Sequence, residues 1–350
     1  MRLPGREPEV DMKVLVTGAS GFLGSYVVPA LWVRGHEITA LDIRKAPESP
    51  AAEELVCDLT RPEEVSGALS GRSFDAVMHL AVPSRSAPSD VLRAVNIQAT
   101  RTLLMELSGR AGKIVLASSS AVYGRVSPAQ FPVKEDTPSG FTGPYGKSFE
   151  EREEAAKLST SMSRTDLFIL RVFNLTGPGQ DPADSIVPDV ARKLALSGAG
   201  TYAGALVTSP PSWKRDYVDA RDAALAFVEA LGAASHGITV ANVCSGRSVS
   251  GEEVIRSLSS VFGVPAPRIP SSEPSEALDI EDLPGDPSAA GRLLGWKPVI
   301  AFEQTLTDVA DEWRKRVQEE KPAPEKAAGG DAPEAGSQGV TPPPGPVPSS

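Results

Sequence analysis

Residues 14–24 read VLVTGASGFLG, and their reading decides the fold. A run of β-branched and aliphatic residues stops at Thr17-Gly18, crosses a glycine-rich turn and resumes as the apolar-periodic FLGSYVVPALWVRG. That pattern is strand, tight turn, helix. In a dinucleotide-binding turn the three glycines divide the work: Gly18 permits the sharp turn, Gly21 lets the backbone approach a pyrophosphate, and Gly24 lets the helix pack close to the strand. The helix start then offers N–H groups to the anion. An ordinary βα turn also carries glycines. Asp42 separates this one from it: the residue closes the next apolar run, HEITALD, about twenty residues on, where a carboxylate accepts from a ribose hydroxyl.

Outward from that unit the chain alternates strand and helix. KVLVTGA, HEITALDI, EELVCDL, AVMHLAV, KIVLASSS and DLFILRVFN are near-continuous apolar runs of strand length, the signature of a parallel sheet covered on both faces. SDVLRAVNIQATRTLLMELS and GKSFEEREEAAKLSTS carry the helical pattern between them. Right-handed crossovers turn this into an α/β fold with a Rossmann-type doubly wound parallel sheet. After Asn174 the texture changes. A Pro/Gly loop, LTGPGQDPADS, precedes the helix IVPDVARKLALSG and a hairpin-like piece around TYAGALVTSPPS. Residues 214–231 read as helix, ITVANVCSG as strand, and VSGEEVIRSLSSVFG as a helix with a Ser250–Glu253 capping box. SAAGRLLGW and FEQTLTDVADEWRKRV close the fold as two helices. The expected organisation is a loose arm over 1–11, a dinucleotide-binding domain over 12–175 to which 208–245 returns, a smaller C-terminal substrate-binding lobe from 176–207 and 246–318, and a disordered Pro/Gly/Ala-rich tail over 319–350.

The 350 residues, 41% hydrophobic, can bury a large core. A net charge of −10 argues against nucleic acid and anionic membrane as partners and leaves a small molecule. No apolar run is long enough to span a bilayer and the N-terminus lacks a signal-peptide core, so a cytoplasmic location is expected. Cys57 and Cys244 lie in different elements and read as inert core thiols; with His36, His79 and His236 scattered, no metal site is expected.

From about residue 13 to 316 the chain resembles the extended short-chain dehydrogenase/reductase family of nucleotide-sugar enzymes. TGASGFLG is similar to its first signature, Asp58 of CDL to its adenine contact, and HLAV (79–82) to the turn beneath the nicotinamide ribose; Asn96, SSSAVYG (118–124), PYGKS (144–148) and RVFNLTGPGQ (171–180) follow in the family's order. In the second half, FNLTGPGQ, RDYVDARDAA, NVCSGRSVS and GDPSAAGRLLGWKP resemble the reductases of GDP-4-keto-6-deoxymannose, with sister epimerases and dehydratases sharing several motifs. The resemblance implies a cofactor site of Gly18, Ser20, Gly21, Phe22, Leu23, Gly24, Asp42, Ile43, Arg44, Asp58, Leu59, Leu80, Ala81, Val82, Asn96, Ala117, Ser118, Tyr145 and Phe173. It implies substrate contacts from Ser119, Ser120, Asn174, Val187, Arg192 and Arg215, a nucleotide sugar as substrate, and a two-fold homodimer through the helices beginning near Ser89 and Tyr145. Asp42 favours NAD because a carboxylate repels the 2′-phosphate of NADP, while Arg44 keeps NADP in play.

In such a site Tyr145 is the proton donor to a sugar ketone and Ser119, four residues before Tyr123, positions the substrate oxygen; Ser118 and Ser120 are the alternatives. The chain departs from the family at one decisive place. A lysine is expected four residues after the tyrosine, on the same helical face, where it lowers the phenol pKa; Phe149 stands there instead, and Lys147 points elsewhere. Moving a tyrosine from about 10 to near 7 takes roughly 4 kcal/mol, none of which a phenyl ring supplies. An epimerase or dehydratase begins with tyrosinate as base and suffers most; a ketone reduction begins with the neutral phenol. The position therefore favours a reductase, with a 4-epimerase holding NAD tightly and a catalytically silent NAD(H)-binding protein as the alternatives. A second departure falls near Glu276, where the family's spacing puts a diphosphate-clamping arginine; Arg215, Lys193, Arg192 or Arg268 would have to replace it.

Overall fold

The computed structural model describes residues 12–46, 48–141, 143–163, 165–198, 212–234, 237–266 and 280–319. The expected arm at 1–11, the hairpin-like piece at 201–211, His236, Arg268, Glu276 and the tail beyond 319 lie outside the described residues.

The glycine-rich unit forms as read: β1 (Lys13–Thr17) turns into α1 (Gly24–Val33), followed by β2 (Glu37–Asp42) and β3 (Glu53–Val56). Then come α2 (Pro62–Leu69), β4 (Phe74–His79) and a helix that runs as α3 (Ser89–Arg93), a π-helical stretch Ala94–Ala99, and α4 (Thr100–Glu106). β5 (Ala111–Ser119), α5 (Gly143–Ser163), β6 (Asp166–Val172), β7 (Asn174–Thr176) and α6 (Ile186–Gly198) follow. The described chain closes with β8 (Lys214–Asp219), α7 (Ala220–Gly232), β9 (Ile238–Val243), β10 (Ser248–Ser250), α8 (Gly251–Phe262), α9 (Ser288–Leu294) and α10 (Phe302–Glu319).

Seven parallel strands make one sheet in the order β3-β2-β1-β4-β5-β6-β9. Strand side chains alternate between two buried layers: Val14 and Val16 join α1, α7 and α9 on one face, and Leu15 joins α2, α4 and α5 on the other. Burial on both faces is why the strands read as continuous apolar runs. The strand order reverses between β1 and β4, paired as Thr17 to His79 at their carboxyl ends, and the crevice at such a switch point is where α/β sheets bind ligands.

Residues 214–219 overturn the expected helix. β8 lies between β7 and β10 in a second, three-stranded sheet. Its side chains alternate with period two: Tyr217 enters the cluster between α6, α8 and α10, and Val218 enters the main core. The helix begins only where Asp219 accepts from the Arg221 N–H as its N-cap. The capping box of α8 forms as read, Glu253 N–H donating to Ser250 Oγ at 3.1 Å and Ser250 N–H to Glu253 Oε2 at 2.8 Å.

Candidate functional site

A cleft of about 1060 Å³ opens over the carboxyl ends of the strands at the switch point. One of its walls is the glycine turn. Gly18 has φ +71°, and a Cβ there would meet Ala81 N at 2.6 Å; a Cβ on Gly24 would overlap the Gly18 carbonyl oxygen. Gly18 thus lets β1 press against the turn after β4, and Gly24 seats α1 on β1. α1 starts without a side-chain cap, so the positive end of its dipole and the amides of residues 22–24 are presented to the cleft, while the Ser25 N–H donates to the Gly21 carbonyl at 2.9 Å. At one end, Asp42 accepts from Ser20 N–H (2.9 Å) and Ile43 N–H (2.7 Å), which aims its carboxylate along the wall; Arg44 reaches back toward Ser20 Oγ at 3.4 Å. Asp58 lines the same end; although burial opposes it, hydrogen bonds from the Thr60 hydroxyl and N–H hold its carboxyl below the usual range. A glycine cradle, an uncapped helix start and a carboxylate at the end of β2 are the donor and acceptor set that a dinucleotide requires.

At the other end, Ser119 ends β5 and Tyr145 stands in the first turn of α5, both lining the cleft with Ser118, Ser120, Phe173, Asn174 and Arg215. Burial pushes the Tyr145 phenol above its ordinary value, with Asp184 adding to the rise; Arg85, a hydrogen bond with Ser119 and Arg152 pull it back. The Arg85 guanidinium lies 5.8 Å from the Tyr145 ring centre, and the Phe149 ring stands edge-on to it at 5.0 Å. Lys147 is turned outward toward Glu151 (3.8 Å). Ser84 Oγ donates to Asp184 Oδ1 at 2.7 Å, joining the loops after β4 and before α6 across the cleft.

Several expected residues stand elsewhere. Asn96 does not line the cleft: it is fully buried in the π-helical stretch, donating to Ser148 Oγ (2.9 Å) and accepting from Arg152 (3.2 Å). Val187 is buried in the cluster of α6, α8 and α10, and Arg192, a turn further along α6, is exposed; neither reaches the cleft. Helical periodicity sends Val187 into the packed face and Arg192 to solvent. Lys193 is paired with Asp189 at 2.7 Å. Arg215 lines the cleft from β8, donating to the Ile280 carbonyl at 2.8 Å, and Asn174 donates to the Asp216 carbonyl at 3.3 Å. Sequence reading missed Arg85, Asp184 and above all Arg152, whose spacing of three residues from Phe149 on the same helical face was the available signal.

The family model for the NAD dependent epimerase/dehydratase family matches residues 14–244, two thirds of the chain and the whole of the seven-stranded sheet. The chain belongs to that family. Its relatives in the epimerase/dehydratase family include a GDP-6-deoxy-D-mannose reductase of Pseudomonas aeruginosa, 29% identical over 89% of this chain and all of the relative. A UDP-glucose 4-epimerase of Lactobacillus helveticus is also 29% identical, over 87% of this chain and 97% of its own length. Among solved structures, RMD from Pseudomonas aeruginosa complexed with NADPH superposes with a TM-score of 0.75 at 26% identity, covering 89% of this chain and all of that one. MoeE5 in complex with UDP-glucuronic acid and NAD does so with 0.76 at 26%, covering 87% and 99%. Members of this kind are nucleotide-sugar reductases and epimerases, and the chain is an enzyme of that oxidoreductase/epimerase type.

Proposed function

We propose that this enzyme reduces the 4-keto group of a 6-deoxy sugar carried on a nucleoside diphosphate, with NAD(H) as cofactor. The observation that carries the reading is the half-buried Tyr145 phenol, raised above its ordinary value by desolvation beside Ser119, with no lysine at 149 to ionise it. The cofactor's diphosphate would rest on the amides after Gly21, its adenosine ribose on Asp42, and its nicotinamide end against Leu80–Val82, Ser118 and Phe173. When bound, the reduced nicotinamide supplies hydride to the carbonyl carbon. Ser119 holds the carbonyl oxygen, and the Tyr145 phenol gives that oxygen its proton, becoming phenolate until solvent reprotonates it. Asn174 and Arg215 would meet the sugar nucleotide, the cation facing its diphosphate. In this reading the dinucleotide-binding part is 12–175 with 208–245 and the substrate lobe is 176–207 with 246–318. A 4-epimerase is the second reading, favoured by the equal identity to UDP-glucose 4-epimerases.

The test is loss of NADH or NADPH absorbance when the full chain meets a freshly generated 4-keto-6-deoxy sugar nucleotide. Steady oxidation supports the reductase; none with either cofactor, on protein that binds them, rules it out. A pH series adds a second check. The acid is the neutral phenol, so reduction stays flat through the neutral range and declines only above a pH of about 10, where tyrosine ordinarily ionises. The reverse oxidation needs phenolate and climbs about tenfold per pH unit below that point. A reduction rate that already falls between neutral and mildly alkaline pH would assign the proton to another group.

Cofactor choice rests on Asp42. Asp42→Asn removes the charge while keeping an acceptor for the Ser20 and Ile43 amides, and Arg44 remains beside Ser20. The expected result is a shift of at least about tenfold in the NADPH-to-NADH ratio of kcat/KM, about 1.4 kcal/mol. An unchanged ratio would show that Asp42 does not face the 2′ position.

A further inference from the structure

Arg152 sits seven residues after Tyr145 and three after Phe149, on the same face of α5. Its side chain is fully buried. Nη1 donates to the carbonyl oxygen of Ala81 at 2.9 Å and to Asn96 Oδ1 at 3.2 Å, Nη2 donates to the carbonyl oxygen of His79 at 3.0 Å, and Nε is buried without a hydrogen-bond partner among the described residues. Every one of these acceptors is neutral. The adjacent carboxylate, Glu153, is committed to Ser118 Oγ (2.6 Å) and to both forks of Arg171 (2.9 and 2.8 Å). The remaining polar neighbour, His79, bridges Thr17 and Thr100 and is kept neutral by burial and then by Arg152. A buried cation is ordinarily compensated by an anion, and here none is among the acceptors. Its carbonyl partners, His79 and Ala81, belong to the turn whose Leu80–Val82 segment lines the cofactor end of the cleft.

We infer that Arg152 supplies, from one turn further along α5, the positive charge missing at Phe149: it is a positioning residue that clamps the His79–Ala81 turn and favours the phenolate left on Tyr145 when the proton is given up. The assignment rests on the reductase or epimerase reading only in that both use Tyr145. Burial works against the guanidinium's charge and Tyr145 supports it, and an arginine keeps its proton throughout the range in which a tyrosine ionises. Among the described residues three charged groups bear on the phenol, Arg85 after β4, Asp184 before α6 and Arg152, together with a hydrogen bond from Ser119 at the end of β5. Arg85 is exposed on its loop and Asp184 opposes it, so Arg152 is the cation the packed core holds in place. The same geometry explains why a lysine at 149 is dispensable: an ammonium there would be a second buried cation next to the first, inside the apolar cluster of Tyr123, Val133, Phe173 and Leu283.

The test uses the full chain with Arg152→Gln, which keeps an amide donor for the turn without the charge, and Arg152→Lys, which keeps the charge. Tyr145 ionisation is read without any sugar, as the phenolate absorbance gained on alkaline titration that a Tyr145→Phe protein lacks; NADH affinity is read by fluorescence, and turnover in parallel. In Arg152→Gln the Tyr145 titration moves to higher pH and turnover falls by roughly 100-fold, whereas NADH affinity stays within about tenfold; Arg152→Lys recovers both the titration and most of the turnover. An unmoved Tyr145 titration in Arg152→Gln overturns the assignment, and so does an equal loss in the Gln and Lys proteins, which would mark a purely structural role. Should Arg152→Gln not fold, Arg152→Met, which retains the apolar stem, serves for the same comparison. A shifted titration in a protein that turns over no keto-sugar would leave the Arg152 assignment standing and remove the reductase reading.

Discussion

Tyr145→Phe is expected to lower turnover by about 10²- to 10⁴-fold, the range supplied by a positioned acid, while NADH still binds and KM barely moves. In the proposed reduction the phenol would touch the reacting oxygen only through its hydroxyl; the ring itself stays packed against Phe149 and under Arg85, contacts that phenylalanine reproduces. The loss therefore belongs to the transition state, and kcat and kcat/KM should drop together. Steady-state kinetics with a 4-keto-6-deoxy sugar nucleotide provides the measurement, with a fluorescence titration of NADH as the control for the cleft. Turnover within about tenfold of the parent would move the acid role to another group. Ser119→Ala should give a smaller effect in the same direction, because it removes the hydroxyl that would hold the substrate oxygen in the proposed reaction, together with the Ser119–Tyr145 hydrogen bond that lowers the phenol toward ionisation.

The glycine turn, the sheet and the order of its motifs were legible in the sequence because parallel strands buried on both faces leave an unbroken apolar record, as in Val14–Val16 and Leu167–Leu170. β8 was not. KRDYVD is short and runs straight into the helix that Asp219 caps, so its period of two is drowned by the helical period of ARDAALAFVEALG. The site divides in the same manner. Residues that present backbone or a motif side chain to the cleft, such as Gly18, Asp42, Ser119 and Tyr145, are recoverable from local spacing. Residues whose role depends on which layer they enter are not: Asn96 turns away from the cleft because a π-helical turn changes the phase of its helix, and Val187 disappears into the packed face of α6. Arg152 is the instructive miss. On sequence it is one more charge in EEREEAAK, a run that reads as a solvated face, yet it is fully buried while Lys147 and Glu154 on the same helix are exposed. Phe149 marked where a charge was missing; the tertiary packing of α5 on the His79–Ala81 turn shows where one is held.

Gly18→Ala carries the second large effect, on binding and stability together. The residue is at φ +71°, a conformation that costs an L-residue roughly 1–2 kcal/mol, and the new Cβ would lie 2.6 Å from Ala81 N, 2.7 Å from Ala81 Cα and 2.8 Å from the Leu80 carbonyl carbon. These are backbone atoms and cannot rotate aside. Relief requires the β1 turn and the Leu80–Val82 turn to separate, at a further cost of about 1–3 kcal/mol for overpacking, so the folded state should lose about 3 kcal/mol in all. The same separation disturbs the glycine-turn wall of the cleft: it moves the Gly18 carbonyl on which Gly24 rests, and with it the start of α1. Dinucleotide affinity should fall by at least about 100-fold, the equivalent of about 2.7 kcal/mol. Gly67→Ala is the matched control. Gly67 lies inside α2 with nothing within 4 Å of its would-be Cβ, and exchanging a helical glycine for alanine stabilises by about 0.5–1 kcal/mol. Denaturant unfolding and NADH titration on the two proteins should therefore diverge in both readouts. If Gly18→Ala binds NADH as tightly as Gly67→Ala does, the contact between the glycine turn and Ala81 is not what shapes the dinucleotide site.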